Sequence, residues 1–129
     1  MNQTDEFSFR LRPSTIHGVG VFANHDIDAG ARLELFEDDT RFLPEAPSEP
    51  AKRLLDALSV IGEGGRGYYC PRSFTSTAIG WYLNHSDTPN AGHTDWDYLA
   101  LREIKDGEEI TIDYRTLGED IGEGKELGL

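Results

Sequence analysis

Tyr82-Leu83-Asn84-His85-Ser86-Asp87-Thr88-Pro89-Asn90 and, a hairpin later, Gly107-Glu108-Glu109-Ile110-Thr111-Ile112-Asp113-Tyr114 are the stretches on which the reading of this chain turns. In the first, an apolar segment runs into Asn-His-Ser and then a Pro-Asn kink. Asn and His present directional donors and acceptors, and Pro fixes the turn that aims them. In the second, an alternating strand ends on a tyrosine, a residue whose hydroxyl can sit at the lip of a cavity. Together they describe a small-molecule site beside a phenol-lined channel.

The chain has 129 residues, 37% of them hydrophobic, which suits one domain with a single core. No run approaches the roughly 20 apolar residues of a membrane span. The start, Met1-Asn2-Gln3-Thr4-Asp5-Glu6, is polar and acidic, unlike a secretory signal. Cys70 is the lone cysteine, which excludes an intrachain disulfide and disfavours a structural zinc cluster. A reducing, intracellular setting is expected, cytoplasmic or nuclear depending on the host. There are 24 acidic against 12 basic residues, a formal charge of −12. A phosphate backbone is repelled by that balance, because the basic residues form no cluster. Neither direct nucleic-acid binding nor membrane contact is expected. A basic protein or peptide is steered in, and acidity that serves only solubility is the competing explanation.

Alternation predicts strands at Phe7–Leu11, closed by Pro13, at Val19–Ala23 and at Ala31–Phe36, with Asp28-Ala29-Gly30 as a turn. Residues 37–50 are acidic and Pro-bearing and read as a loop. Ser48 can cap a short helix with Leu54, Leu55 and Leu58 on one face. Gly62–Gly67 reads as a flexible connection and Tyr68–Cys70 as a strand closed by Pro71. Trp96–Leu101 and Glu109–Tyr114 read as a further strand pair hinged at Asp106-Gly107. One spacing recurs: Ala23-x3-Ile27-x2-Gly30-x2-Leu33 and Ala100-x3-Ile104-x2-Gly107-x2-Ile110. Two strand–turn–strand units built alike suggest paired small sheets. The last fifteen residues, with Gly118, Gly122, Gly124 and Gly128 among acids, read as a mobile tail.

His17-Gly18-Val19-Gly20-Val21-Phe22 is a Gly-x-Gly run entering a strand, where glycine lets backbone groups approach a ligand. A dinucleotide fold needs a third Gly and a following helix, and here a strand follows. Asn84-His85-Ser86 has no metal-ligand company, since no His-x3-His pair exists and Cys70 has no partner. Ser86 is on no glycine-flanked elbow. Polar small-molecule binding remains, beside the plain alternative that the two residues hold the turn together. Glu108 and Glu109 read as solvated turn residues, and Trp81, Tyr82, Tyr68, Tyr69 and Tyr98 as core or surface aromatics.

Gly18-Val19-Gly20-Val21-Phe22-Ala23, Ile27-x-x-Gly30, Asn84-His85-Ser86-x-x-Pro89-Asn90 and Ile104-x-x-Gly107-Glu108-Glu109-Ile110-Thr111-Ile112-Asp113-Tyr114, in that order, resemble the SET-domain family over about residues 9–114. The resemblance implies a mainly β, β-clip-like fold of several small sheets with one short helix and a knot-like C-terminal crossing. It implies a SET domain over residues 1–114, followed by an acidic Gly-rich tail over 115–129. It also implies S-adenosylmethionine as methyl donor and a lysine of a basic, histone-like protein as acceptor. Carried over, His17, Gly18, Val19 and Gly20 are expected to hold the methionine part of the donor. Asn84 and His85 fall near its adenosine, with Trp81 flanking. Tyr114 is the catalytic tyrosine where the lysine channel meets the donor. Tyr82, Tyr98 and Ile112 are channel positions, Ile112 standing where an aromatic is common and bearing on how many methyl groups are added. No metal is implied.

The chain departs from the family pattern in four places. It lacks the cysteine clusters that flank many members, Asp87 stands where a cysteine often follows Asn-His-Ser, and Trp81 replaces a frequent arginine. After Tyr114 there is no aromatic to close the channel. The tail folds over on binding, a partner chain (a second copy, in a homodimer) completes the site, or activity is low. A non-catalytic module of the same fold that binds basic tails, and a degenerate domain that keeps the donor for structural reasons, are the alternative readings.

Overall fold

The computed structural model describes residues 4–36 and 39–121, the side chains of residues 63 and 118–121 apart. In chain order the elements are β1 (Phe9–Pro13), β2 (Val19–Ala23), β3 (Arg32–Leu33), β4 (Thr40–Leu43), α1 (Glu49–Ala57), β5 (Val60–Ile61), β6 (Tyr68–Pro71), β7 (Asn84–His85), β8 (Ala91–Thr94), β9 (Asp97–Ala100), β10 (Glu109–Ile112) and α2 (Tyr114–Ile121). Single 3-10 turns at Glu63–Gly65 and Ile79–Tyr82 precede β6 and β7. The strands form three small sheets, ordered β1-β2-β10-β7, β3-β9-β8 and β4-β6-β5. The expected mainly β fold of several small sheets is what the chain adopts. Among the described residues no helix is long and apolar enough to cross a membrane.

The repeated spacing in the sequence is a structural pair. Ile27 and Ile104 bridge one another, N–H to carbonyl in both directions at 2.7 and 2.9 Å. Gly30 N–H donates to Ala100 O, and Gly107 N–H to Ala23 O, each at 2.8 Å. The two units therefore exchange equivalent bonds, as if related by a local twofold. Both glycines take the positive φ that the turn requires, +84° and +87°. Ile27 and Ile104 are fully buried where the units meet, each worth roughly 2–3 kcal/mol of burial.

The first sheet positions the site. β10 runs antiparallel to β2, with Ile110 facing Val21, and parallel to β7, with Thr111 facing Asn84. Residues 84–90 then grip β10. Ser86 N–H donates to Ile112 O at 2.9 Å, while the Asn90 side chain donates to Glu109 O at 2.8 Å and accepts the Thr111 N–H at 2.9 Å. Passage of β10 between β2 and this segment is the form that the C-terminal crossing takes.

Several elements differ from the sequence reading. Thr40–Leu43 is a strand inside the expected loop, because its register against Tyr68–Pro71 is set by long-range pairing. Ala31–Phe36 contracts to Arg32–Leu33. Trp96–Leu101 and Glu109–Tyr114 do not pair: β9 pairs with β3 and with Ala91–Thr94, while β10 joins the first sheet. Helix α1 is capped by Ser48, whose side chain accepts the Ala51 N–H. It buries Leu55 completely but leaves Leu54 46% exposed.

A second helix, α2, runs into what reads as a tail. Asp113 caps it by accepting the Arg115 N–H at 3.0 Å, and Leu117 is buried in the core. Residues 122–129, the remainder of the expected mobile tail, lie outside the described residues.

Candidate functional site

Two cavities of unlike character share part of their lining. The outer one is an open cleft of about 230 Å³ lined by His17, Gly18, Val19, Ala57, Leu58, Trp81, Tyr82, Leu83, Asn84 and Tyr114. The inner one is a narrow apolar slot of about 20 Å³ lined by Phe36, Ser59, Val60, Gly80, Trp81, Leu83, Trp96, Tyr98, Ile112, Tyr114 and Leu117. Trp81, Leu83 and Tyr114 border both. The slot has room for little more than one water molecule.

Local sequence explains the walls. Phe36 packs edge-on to Trp81 and Trp96 with centroids 5.4 and 5.1 Å apart, and lies 5.2 Å from Tyr98. Gly80 permits this, since a Cβ there would sit 2.6 Å from the Phe36 ring. The Trp81 indole is pinned by donating to Asp39 Oδ2 at 2.9 Å. On the cleft side, Gly18 turns the loop at φ +46°, and Ser14 N–H closes it by donating to Gly18 O at 2.8 Å.

Asn84 stitches that loop to the sheet. Its Nδ2 donates to His17 O and Val19 O, both at 3.1 Å, and to Glu109 Oε2 at 2.9 Å. Glu109 also accepts from Ser14 Oγ at 2.8 Å. It is therefore half-buried and bonded, not a solvated turn residue. Gly20 makes room for it, because a Cβ on Gly20 would lie 2.1 Å from Glu109 Oε2. The second glycine of the Gly-x-Gly run thus accommodates a carboxylate, and it lines neither cavity. Glu108, by contrast, pairs with Arg102 at 2.6 Å.

Tyr114 stands at the junction. Its hydroxyl donates to Leu83 O at 2.5 Å. Burial, and after it the negative charge of Glu109, pushes the phenol up to about 12. The hydroxyl is hence protonated at neutral pH and is no base. Having spent its hydrogen on Leu83, it keeps lone pairs to accept with.

His85 follows Asn84 in β7. Its side chain lines neither cavity: Nδ1 accepts the Tyr114 N–H at 3.0 Å, and Nε2 meets Asp87 Oδ1 at 3.0 Å. The ring lies 5.3 Å from that of Tyr114. Its place is to hold the first turn of α2 and so the tyrosine.

The other predicted positions divide between the cavities. Tyr82 lines the outer cleft, its hydroxyl bonded to Thr77 Oγ1 at 3.0 Å, while Tyr98 and Ile112 line the slot. Sequence reasoning missed Phe36, Trp96, Glu109 and Leu117. An Asp at 113, a residue type that caps helices, is the one local signal that could have pointed to α2.

The fold and the shared wall at Tyr114 define a class. Residues 18–115 match the model of the SET domain, and the chain belongs to the SET-domain family. Among curated proteins none matches it. Among solved structures it is similar to the crystal structure of a Plasmodium falciparum protein described as a histone methyltransferase. The two are 22% identical, with a TM-score of 0.57 over 85% of this chain and 95% of that one. At that identity the likeness speaks to the fold.

Proposed function

We propose that the chain transfers a methyl group from S-adenosylmethionine to the side-chain amine of a lysine in a basic protein. The observation that carries this reading is the pair of cavities, one polar-cornered and open, the other apolar and narrow, that share Tyr114. S-adenosylmethionine, when bound, supplies a methyl group on a positively charged sulfur. The outer cleft suits such a donor: backbone and amide groups at His17, Gly18 and Asn84 face one side, and Ala57, Leu58 and Leu83 give an apolar wall for a nucleoside.

The slot suits the acceptor. Phe36, Val60, Trp96 and Ile112 offer no hydrogen-bond acceptor for an ammonium, and burial among them favours the neutral amine that can attack. Tyr114 accepts from the amine N–H and aligns its lone pair without taking its proton. Alignment and exclusion of water then carry most of the rate. At about 20 Å³ the slot must widen to admit the chain. The acidic balance of the whole protein suits a basic substrate.

The test is incubation with methyl-labelled S-adenosylmethionine and a panel of basic proteins. Label recovered in lysine is the expected result. Tight binding of basic tails with no label in any lysine would sink the enzyme reading in favour of a non-catalytic module.

A further inference from the structure

We propose that His85 is a proton-operated catch on Tyr114: the neutral ring holds the tyrosine in place, and the protonated ring turns to Asp113 and lets it go. Its effect on methyl transfer rests on the reading of Tyr114 above, whereas the catch itself belongs to the protein without ligand. Tyr114 is the first residue of α2, so its N–H is one of the donors that a helix leaves without an internal partner. The next two donors are met by Asp113, whose Oδ1 accepts the Arg115 N–H and whose carbonyl accepts the Thr116 N–H, each at 3.0 Å. The Tyr114 N–H is met by His85 Nδ1 at 3.0 Å.

A backbone N–H is accepted only by a ring nitrogen that carries no hydrogen. Nδ1 is therefore bare, and the neutral ring keeps its hydrogen on Nε2, which donates to Asp87 Oδ1 at 3.0 Å. Protonation adds a hydrogen at Nδ1. Two donors then face each other across 3.0 Å, and the bond is lost. A substitute partner stands beside it, since Asp113 Oδ1 lies 3.8 Å from Nδ1. The bonds from Arg115 hold the Asp113 carboxyl at about 2, so it stays charged wherever a histidine titrates. Arg115 bridges both carboxylates, 3.4 Å from Asp87 and 2.7 Å from Asp113. The remaining titratable neighbour is Tyr114 itself, its ring 5.3 Å away. Among the described residues no other charged group bonds or pairs with His85. Two carboxylates thus draw a proton onto the ring while one backbone N–H resists it. The hold on Tyr114 is present above the titration of His85 and lost below it.

NMR on the ligand-free protein tests the catch. As the pH is lowered from about 8 to 5, the span in which histidines charge, the amide and ring signals of Tyr114 are expected to follow those of the His85 ring with the same midpoint. Protection of the Tyr114 amide from hydrogen exchange is expected to fall about tenfold, the scale of one lost hydrogen bond. Tyr114 signals that stay still while His85 protonates would overturn the inference. The Leu101 amide, which donates to Asn90 O at 2.9 Å, is expected to keep its protection, and an equal loss there would show general loosening and overturn it too. In His85→Asn an amide oxygen takes the place of Nδ1, accepts the same N–H and does not titrate, so Tyr114 is expected to ignore pH over this span. A Tyr114 that still titrates in the variant would assign the effect to another group. A protein in which Tyr114 follows His85 but no lysine is labelled at any pH contradicts the transfer reading alone. One that labels lysine while Tyr114 ignores His85 contradicts the catch alone.

Discussion

Replacing Gly20 by alanine puts a methyl group 2.1 Å from Glu109 Oε2 and 2.8 Å from its carboxyl carbon. Gly20 pairs with Arg12 in the β1–β2 ladder, so the backbone is held and the carboxylate has to move. Moving it breaks at least one of the bonds from Ser14 and Asn84. Losing one such charge-assisted bond costs about 1.5–3 kcal/mol, offset by about 0.4–1 kcal/mol because alanine stiffens the unfolded chain. The net is about 0.5–2.5 kcal/mol, which lowers the thermal midpoint by roughly 2–12 °C for a domain of this size. Thermal unfolding followed by circular dichroism measures it. The decisive control is the same substitution in a Glu109→Ala background, where the methyl group meets no carboxylate. There Gly20→Ala is expected to be neutral or stabilising by up to about 1 kcal/mol. An equal cost in both backgrounds would refute the assignment of Gly20 to Glu109.

Leu117→Ala removes a buried side chain from the slot wall and is expected to destabilise by about 2–3 kcal/mol; denaturant unfolding checks this, and a cost below about 0.5 kcal/mol, the scale of an ordinary surface substitution, would mean that α2 does not pack as described. Asp113, held at about 2 by its bonds with Arg115, supplies stability that is present above the ordinary carboxylate range and lost as pH falls from about 4 to 2. Asp113→Asn keeps the cap and removes the charge. The stability gap between wild type and variant should be constant above about pH 5, close below about pH 4, and stay under about 1 kcal/mol because Arg115 is 70% exposed. A gap that persists at pH 2 contradicts the charge assignment.

What could be read from the sequence was whatever is contiguous. The loop His17–Val19, the Asn84 turn and Tyr114 are short motifs whose chemistry survives in isolation, and the chain brings them to one cleft. The echo around Ile27 and Ile104 was visible because spacing alone carries it. Registers were not visible. That Glu109 lies beneath Gly20 follows from the pairing of β10 with β2, which no local pattern announces. The polarity of His85 is evident in the sequence and the direction of its ring is not; only the fold turns Nδ1 to the Tyr114 N–H. Helix α2 was hidden by Gly118, and the burial of Leu117 depends on packing that no local pattern announces. β4, between Asp39 and Pro44, has too short a pattern to outweigh its flanks and forms because Tyr68–Pro71 pairs with it.

Tyr114 joins the two cavities, so the central claim is that the cleft holds the methyl donor and this hydroxyl meets the lysine. A side-by-side measurement of wild type and Tyr114→Phe tests it most directly, with donor affinity by calorimetry and transfer of isotope label to lysine on the same preparations. The account predicts that the variant binds S-adenosylmethionine within about twofold of wild type, a difference under about 0.5 kcal/mol, and transfers no label. A Tyr114→Phe variant that methylates lysine at the wild-type rate would contradict it.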